Sequence, residues 1–330
     1  MTDGRKRTAR VLATLCITAL SGSVLVAATP THADPDIDSV ESRVETLYHQ
    51  AEQASERYND ARLEMKKTRT RLAALRADLA RQQAKVNSVR EQVATSVVSQ
   101  YQGQALSSTT QVLLSENPET FLDQLTAVSE FNDQQSQILA DFAVETKQLE
   151  MRQAAAEREL VRIAATEKQL AKEKAEIDAK ASEAKELLGR LEERAAAASR
   201  SDDRAVAPTM SVPASGRAGA AVGYALAQVG DAYVYGAAGP SSFDCSGLTM
   251  MAWAQAGVSL PHSSGAQMGS GPQVSQSQLQ PGDLVFYYSP VSHVGIYIGN
   301  GQIVHAANPS SGVRVAAVNS MPYSGAVRPG

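Results

Sequence analysis

Phe243-Asp244-Cys245-Ser246-Gly247-Leu248 carries the one cysteine outside the apolar N-terminal stretch of this chain; the other, Cys16, lies within that stretch. A single thiol cannot close an internal disulfide, and exported proteins rarely keep a free thiol without a use for it. A Gly/Pro/Ser loop, Gly236 to Ser242, leads into the motif, and a helix-like run, Leu248 to Ala256, leaves it. A helix N-terminus stabilises a thiolate. The reading therefore expects Cys245 to be a nucleophile with a lowered pKa rather than a buried, inert side chain.

The chain opens with the basic run Gly4-Arg5-Lys6-Arg7-Thr8-Ala9-Arg10, then an apolar stretch from Val11 to Ala28, then small residues in Thr31-His32-Ala33. This pattern predicts a secretory signal peptide over residues 1–33, cleaved after Ala33. A retained membrane anchor is the alternative, but the stretch is near the lower length limit for a span. Cys16 sits mid-segment after Leu15, so it is a poor lipid-attachment site. No paired arginines point to the twin-arginine route.

Composition divides the remainder. From residue 218 to 330 there is no Lys and no Glu; the acids are Asp231, Asp244 and Asp283, and the bases are Arg314 and Arg328. The net charge of −4 and the absence of a basic, aromatic-rich stripe give no reason to expect nucleic acid. From residue 34 to about 200 the chain is rich in Ala, Glu, Gln, Lys and Arg. Ile37, Val40, Val44, Leu47, Ala51, Ala54 and Tyr58 follow a 3,4 spacing, and Leu72, Leu75, Leu79, Val86, Val89 and Val93 continue it. Such a seam belongs to a helix with a partner helix. One helix is expected over about 37–102 and another over about 129–200, together an antiparallel coiled-coil hairpin. Between them, residues 107–128 form the expected tip. Leu113, Leu114, Phe121, Leu122 and Leu125 make it the least polar part of this half, and Asn117-Pro118 reads as an N-cap with Pro at the first position of a short helix. An exposed apolar tip either packs on itself or docks a second protein. Residues 201–217, with Pro208, Pro213 and Gly216, read as a mobile linker.

A thiol nucleophile needs an imidazole to take its proton, and that imidazole needs a third group to fix its tautomer. Three histidines lie in the last third: His262, His293 and His305. Leu284 to Tyr288, His293 to Ile298 and Gln302 to Ala306 read as strands joined by short turns, an antiparallel meander. His293 and His305 fall on adjacent strands about a turn centred near Asn300. Cross-strand neighbours have Cβ atoms roughly 5 Å apart, a distance suited to a base and its orienting partner. His262, in the loop Leu260-Pro261-His262-Ser263-Ser264, has no such partner and is expected to play a structural or substrate-facing part. A cysteine with two strand-borne histidines could also be drawn as a zinc site, but no Asp or Glu completes it by motif. No metal or other cofactor is expected.

At this point residues 218–330 resemble the NlpC/p60 cell-wall peptidases, papain-like cysteine enzymes that cut peptidoglycan stem peptides. Six segments carry the resemblance in order: Tyr233-Val234-Tyr235-Gly236, the Phe243–Gly247 motif, Leu260–Ser264 with Gln267, Leu279–Phe286, His293–Gly299, and Ile303-Val304-His305. One departure is Ala237, where the family often has a second glycine. The resemblance implies an α+β fold, with helices around a small antiparallel sheet, preceded by the coiled-coil hairpin. It implies Cys245 as nucleophile, His293 as base and His305 as third member. The Tyr233 hydroxyl and the Cys245 amide would stabilise the oxyanion, and Asp244 and Ser246 would line the substrate side. It further implies a secreted or wall-associated thiol endopeptidase cutting between D-isoglutamate and meso-diaminopimelate, serving wall remodelling and daughter-cell separation. The layout also resembles the coiled-coil hydrolases of the RipC and PcsB kind. That likeness implies docking of the tip on an FtsE–FtsX-type membrane complex, with movement of the coil uncovering Cys245. Two other readings stay open: a non-catalytic coiled-coil division adaptor, and a related thiol amidase or acyltransferase.

Overall fold

The structure is a computed structural model and describes residues 37–101, 118–198 and 216–330. The expected signal peptide, the linker up to residue 215, and Leu113 and Leu114 lie outside the described residues. So do the side chains of Phe121, Leu122 and Leu125.

Two long helices make the N-terminal part: α1 (Ile37–Tyr101, 65 residues) and α2 (Pro118–Ala198, 81 residues). At 1.5 Å per residue they run for about 97 Å and about 120 Å. The second starts at Pro118, not near 129. The stretch expected as a short tip helix is instead the first turns of α2, and Pro118 is its first residue, where a missing N–H costs nothing. The helices run antiparallel, as their cross-helix ion pairs record: Arg43–Glu183, Arg57–Glu173, Arg71–Glu159 and Lys85–Glu145, at 3.0, 2.8, 3.2 and 3.8 Å. Val44, Leu47, Tyr48 and Ala184 pack together with Leu187 between the two helices. No helix among the described residues is long and apolar enough to cross a membrane.

The C-terminal part begins with α3 (Gly216–Ala227), so the last two residues of the expected linker are already helical. Two short strands follow, β1 (Ala232–Tyr233) and β2 (Ser242–Phe243), paired in parallel, then α4 (Cys245–Gln255) and the single turn α5 (Ser264–Gln267). An antiparallel sheet completes the domain: β3 (Leu284–Tyr287), β4 (His293–Gly299), β5 (Gln302–Asn308), β6 (Gly312–Ala317) and β7 (Tyr323–Val327), in the order β6-β5-β4-β3-β7. The three central strands are the expected meander. Gly299-Asn300-Gly301 turns the chain between β4 and β5 with positive φ at all three residues, a conformation that glycine and asparagine adopt readily. Helices α3 and α4 cover one face, where Leu248, Trp253, Phe286, Ile296, Ile298 and Val304 form the main core. A smaller cluster around Val285, Tyr287 and Ile303 closes the other face.

Candidate active site

Cys245 is the first residue of α4, and Asp244 caps that helix by accepting from the Gly247 amide at 2.6 Å. Asp244 is 1 % exposed and fully engaged. It also accepts from the Gly236 amide at 2.9 Å and pairs with His262 Nε2 at 2.8 Å. The turn works only with glycine at 247. A Cβ there would stand 2.2 Å from the Ala237 carbonyl oxygen and 3.0 Å from His262 Nε2. His262 thus fastens the loop that presents the thiol. Gln267 does the same from below: its amide donates to the Ser246 and Pro261 carbonyls, and it accepts from the Thr249 hydroxyl.

His293 Nε2 lies 2.7 Å from His305 Nδ1, with the rings edge to face. The register Ile296↔Val304 continues to put Gly295, not His293, opposite His305, so the two histidines are diagonal neighbours on one face. Gly295 makes the approach possible: a Cβ there would sit 3.2 Å from that of His305. Burial, followed by the charges of His293 and Arg314, holds His305 well below the usual imidazole range, so it is neutral. Tyr233 is buried beside this group and lines a cleft of about 270 Å³ with His293, His305 and Tyr235. Cys245 does not line that cleft, but its sulfur lies within 4.8 Å of a His293 ring nitrogen.

The sequence reading missed what covers them. Helix α1 lies across the site and inserts a row of polar side chains. Glu52 Oε1 is 2.5 Å from His293 Nδ1. Glu56 accepts from the Ser246 hydroxyl at 2.8 Å, from the Ser264 amide at 2.5 Å and from the Ser264 hydroxyl at 2.7 Å. Its Oε1 is also 3.8 Å from the thiol sulfur. Asn59 donates to Asp244 at 3.1 Å, and Asp60 accepts from Ser263 at 2.5 Å. Tyr48 meets Ser310 at 2.9 Å. Glu52, Glu56 and Asn59 are all buried. Their spacing gave no usable signal: two glutamates four apart repel by only about 0.2–0.5 kcal/mol on a solvated helix, which needs no partner to compensate.

These carboxylates reverse one expectation. Burial first, then the charges of Glu56, Glu52 and Asp244, push the Cys245 thiol well above its ordinary pKa, against the helix N-terminus that should lower it. Burial and Asp244 raise the Glu56 carboxyl to about 7. Burial would also raise Glu52, but the charge and hydrogen bonds of His293 and His49 outweigh it and hold that carboxyl below its ordinary value. The thiol is neutral and the imidazole nitrogen beside it is occupied: the described arrangement is a closed one.

With this geometry in view, the likeness to known proteins becomes specific. Residues 230–327 match the model of the NlpC/P60 family. A probable endopeptidase of Corynebacterium glutamicum is 44% identical over 118 residues, covering 36% of this chain and 56% of that protein. A probable endopeptidase of Mycobacterium tuberculosis is 50% identical over 107 residues, 32% of this chain and 28% of that protein. Each match spans less than two thirds of the relative's own length. Among solved structures, the NlpC/p60 domain of the peptidoglycan hydrolase SagA is 37% identical and covers 33% of this chain and 97% of that one, with a TM-score of 0.32. The matched residues include the cysteine helix and every strand of the sheet, and they belong to the NlpC/P60 family.

Proposed function

We propose that this chain is an exported peptidoglycan endopeptidase whose active site is covered, in the form described, by its own first helix. The observation that carries the reading is the constellation of Cys245 at the capped start of α4 with the hydrogen-bonded pair His293–His305 on the facing strands. Once Glu52 leaves, His293 Nδ1 is free to take the thiol proton. The thiolate attacks a peptide carbonyl, the Tyr233 hydroxyl and the Cys245 amide stabilise the oxyanion, and the leaving amine takes the proton back from His293. Water then hydrolyses the thioester. His305 holds the imidazole in position. The names of the relatives support an endopeptidase, the match to the NlpC/P60 family supports the cell wall as its place of action, and the nearly uncharged domain, without Lys or Glu, suits a small polar stem peptide.

The bond we assign is that between D-isoglutamate and meso-diaminopimelate. Mass spectrometry of fragments released from purified wall tests it. New termini at that bond are expected; fragments cut at the sugar–alanine amide would make the enzyme an amidase. We further propose that the tip residues Leu113, Leu114, Phe121, Leu122 and Leu125 dock on an FtsX-type membrane partner during daughter-cell separation, drawing α1 off the site. Polar replacement of Leu114 and Phe121 should then abolish capture by the partner's extracellular loop while circular dichroism stays unchanged. Capture by the folded double variant at wild-type strength would contradict the docking.

A further inference from the structure

No sequence motif supplies a carboxylate to complete a metal site around Cys245. The fold supplies one from far upstream. Cys245 Sγ, one ring nitrogen of His293 and one carboxylate oxygen of Glu52 all lie within 4.8 Å of one another, and all three residues are buried. We propose that the closed form contains a divalent-metal site of the zinc class, with ligands Cys245, His293 and Glu52, that clamps α1 onto the peptidase domain.

The donor set fits zinc. Thiolate, imidazole and carboxylate are its usual ligands, at about 2.3, 2.0 and 2.1 Å, which puts ligand atoms of a tetrahedral site roughly 3.4–3.6 Å apart. The present separations need shifts of only about an ångström. The Glu52–His293 contact, 2.5 Å as a hydrogen bond, must open to admit the ion. Charge also balances. A thiolate and one carboxylate neutralise the ion, in a pocket where Glu52, Glu56 and Asp244 otherwise crowd a thiol. On binding, the thiol proton leaves to solvent and His293 offers its Nδ1 lone pair. Its Nε2–H then donates to His305 Nδ1, 2.7 Å away. His49 Nδ1, 3.7 Å from Glu52 Oε2, stands behind the carboxylate. Such outer partners orient ligands and tune affinity. Glu52 and His293 also line the cleft described above, which offers a way in for the ion and a water.

Two of the ligands belong to the peptidase domain and the third to α1, so the ion binds strongly only when the helix is seated. Occupation would withdraw thiol and imidazole together and stabilise closure. The proposal stands on side-chain geometry and does not depend on which bond the enzyme cuts.

The test uses the full chain, stripped with a chelator and titrated with Zn²⁺ against a chromophoric competitor, and with Co²⁺ as a spectroscopic probe. One equivalent should bind, and the cobalt form should show a thiolate-to-metal charge-transfer band with intense tetrahedral visible bands. Zn²⁺ should raise the melting temperature. Glu52→Gln should weaken Zn²⁺ binding at least tenfold and abolish that rise, whereas Glu56→Gln, which removes a neighbouring charge but no ligand, should keep the spectrum. Because Glu52→Gln could itself loosen the helix, Cys245→Ser provides a second arm: it leaves α1 seated and must remove the charge-transfer band. Equal Zn²⁺ affinity in wild type and Glu52→Gln, or a cobalt spectrum without the thiolate band, would overturn the proposal.

Discussion

Gly247 and Gly295 are the residues on which the site turns, because each leaves room for a histidine. A methyl group at 247 would strike a backbone carbonyl at 2.2 Å, so Gly247→Ala should displace the Asp244 cap and destabilise the domain by about 2 kcal/mol or more; a thermal melt reads this directly. The triad itself should respond unequally. Cys245→Ala should eliminate turnover, and His293→Ala should come close. His305→Ala should leave measurable activity, since losing an orienting group costs on the order of 10⁴-fold when the base remains. His262 touches the helix cap, not the thiol. His262→Ala should therefore lower stability by about 1–3 kcal/mol, the cost of leaving a buried carboxylate short of a partner, while the surviving folded enzyme keeps most of its kcat. A loss in kcat as great as that of His293→Ala would show that the base has been misassigned. At this scale the placement was legible: the sequence puts Cys245 at a helix start and the two histidines on adjacent strands, and the structure has them there. The raised thiol pKa was not legible, because its causes besides burial include charges about two hundred positions away on another helix.

Helix α1 has two working faces. Val44, Leu47, Ala51 and Ala54 form the apolar seam that the 3,4 spacing disclosed, and they are buried. Glu52, Glu56 and Asn59 form a polar stripe on the other side, which in a sequence looks like any solvated face. Periodicity reports apolar faces; a polar face buried against a second domain leaves no such trace. Glu56 makes the closure sensitive to pH. Facing it are Asp244, Cys245 and His262 of the peptidase domain, with Glu52 and Asp60 on α1. Its carboxyl titrates at about 7 when closed, against 4.5 ordinarily, so the closed form holds a proton that the open form releases. The stabilisation is complete below the ordinary value and is lost as pH rises through the closed-state value. In chelator-treated protein, the open fraction should grow between about pH 4.5 and 7, by at most tenfold per unit, then level off. Glu52, with its lowered carboxyl, acts in the opposite sense only below that window. Amide exchange over residues 48–60, corrected for intrinsic rates, measures this. In Glu56→Gln the rise should vanish; a rise that persists would assign it to another group.

In the whole molecule, two parts of different composition meet through a buried polar contact. The charged half and the nearly uncharged half could each be read separately: the long helices from their seam, the sheet from its three central strands and tight turns. The flanking strands β6 and β7 were missed, since segments of six and five residues are too short to show a convincing alternation. The meeting of the halves was missed altogether, because nothing local encodes which helix face lies on which domain. In the function proposed above, it is that meeting which separates a folded peptidase from an active one. The central claim is that a competent Cys–His–His site lies beneath Glu52 and Glu56. Its most direct test is the rate at which peptide fragments leave purified peptidoglycan, compared between the full chain and the double variant Glu52→Ala, Glu56→Ala, with Cys245→Ala added as a third change. The account predicts faster release by the double variant and none once Cys245 is gone. Release that the double substitution does not accelerate, or that survives loss of Cys245, would contradict it.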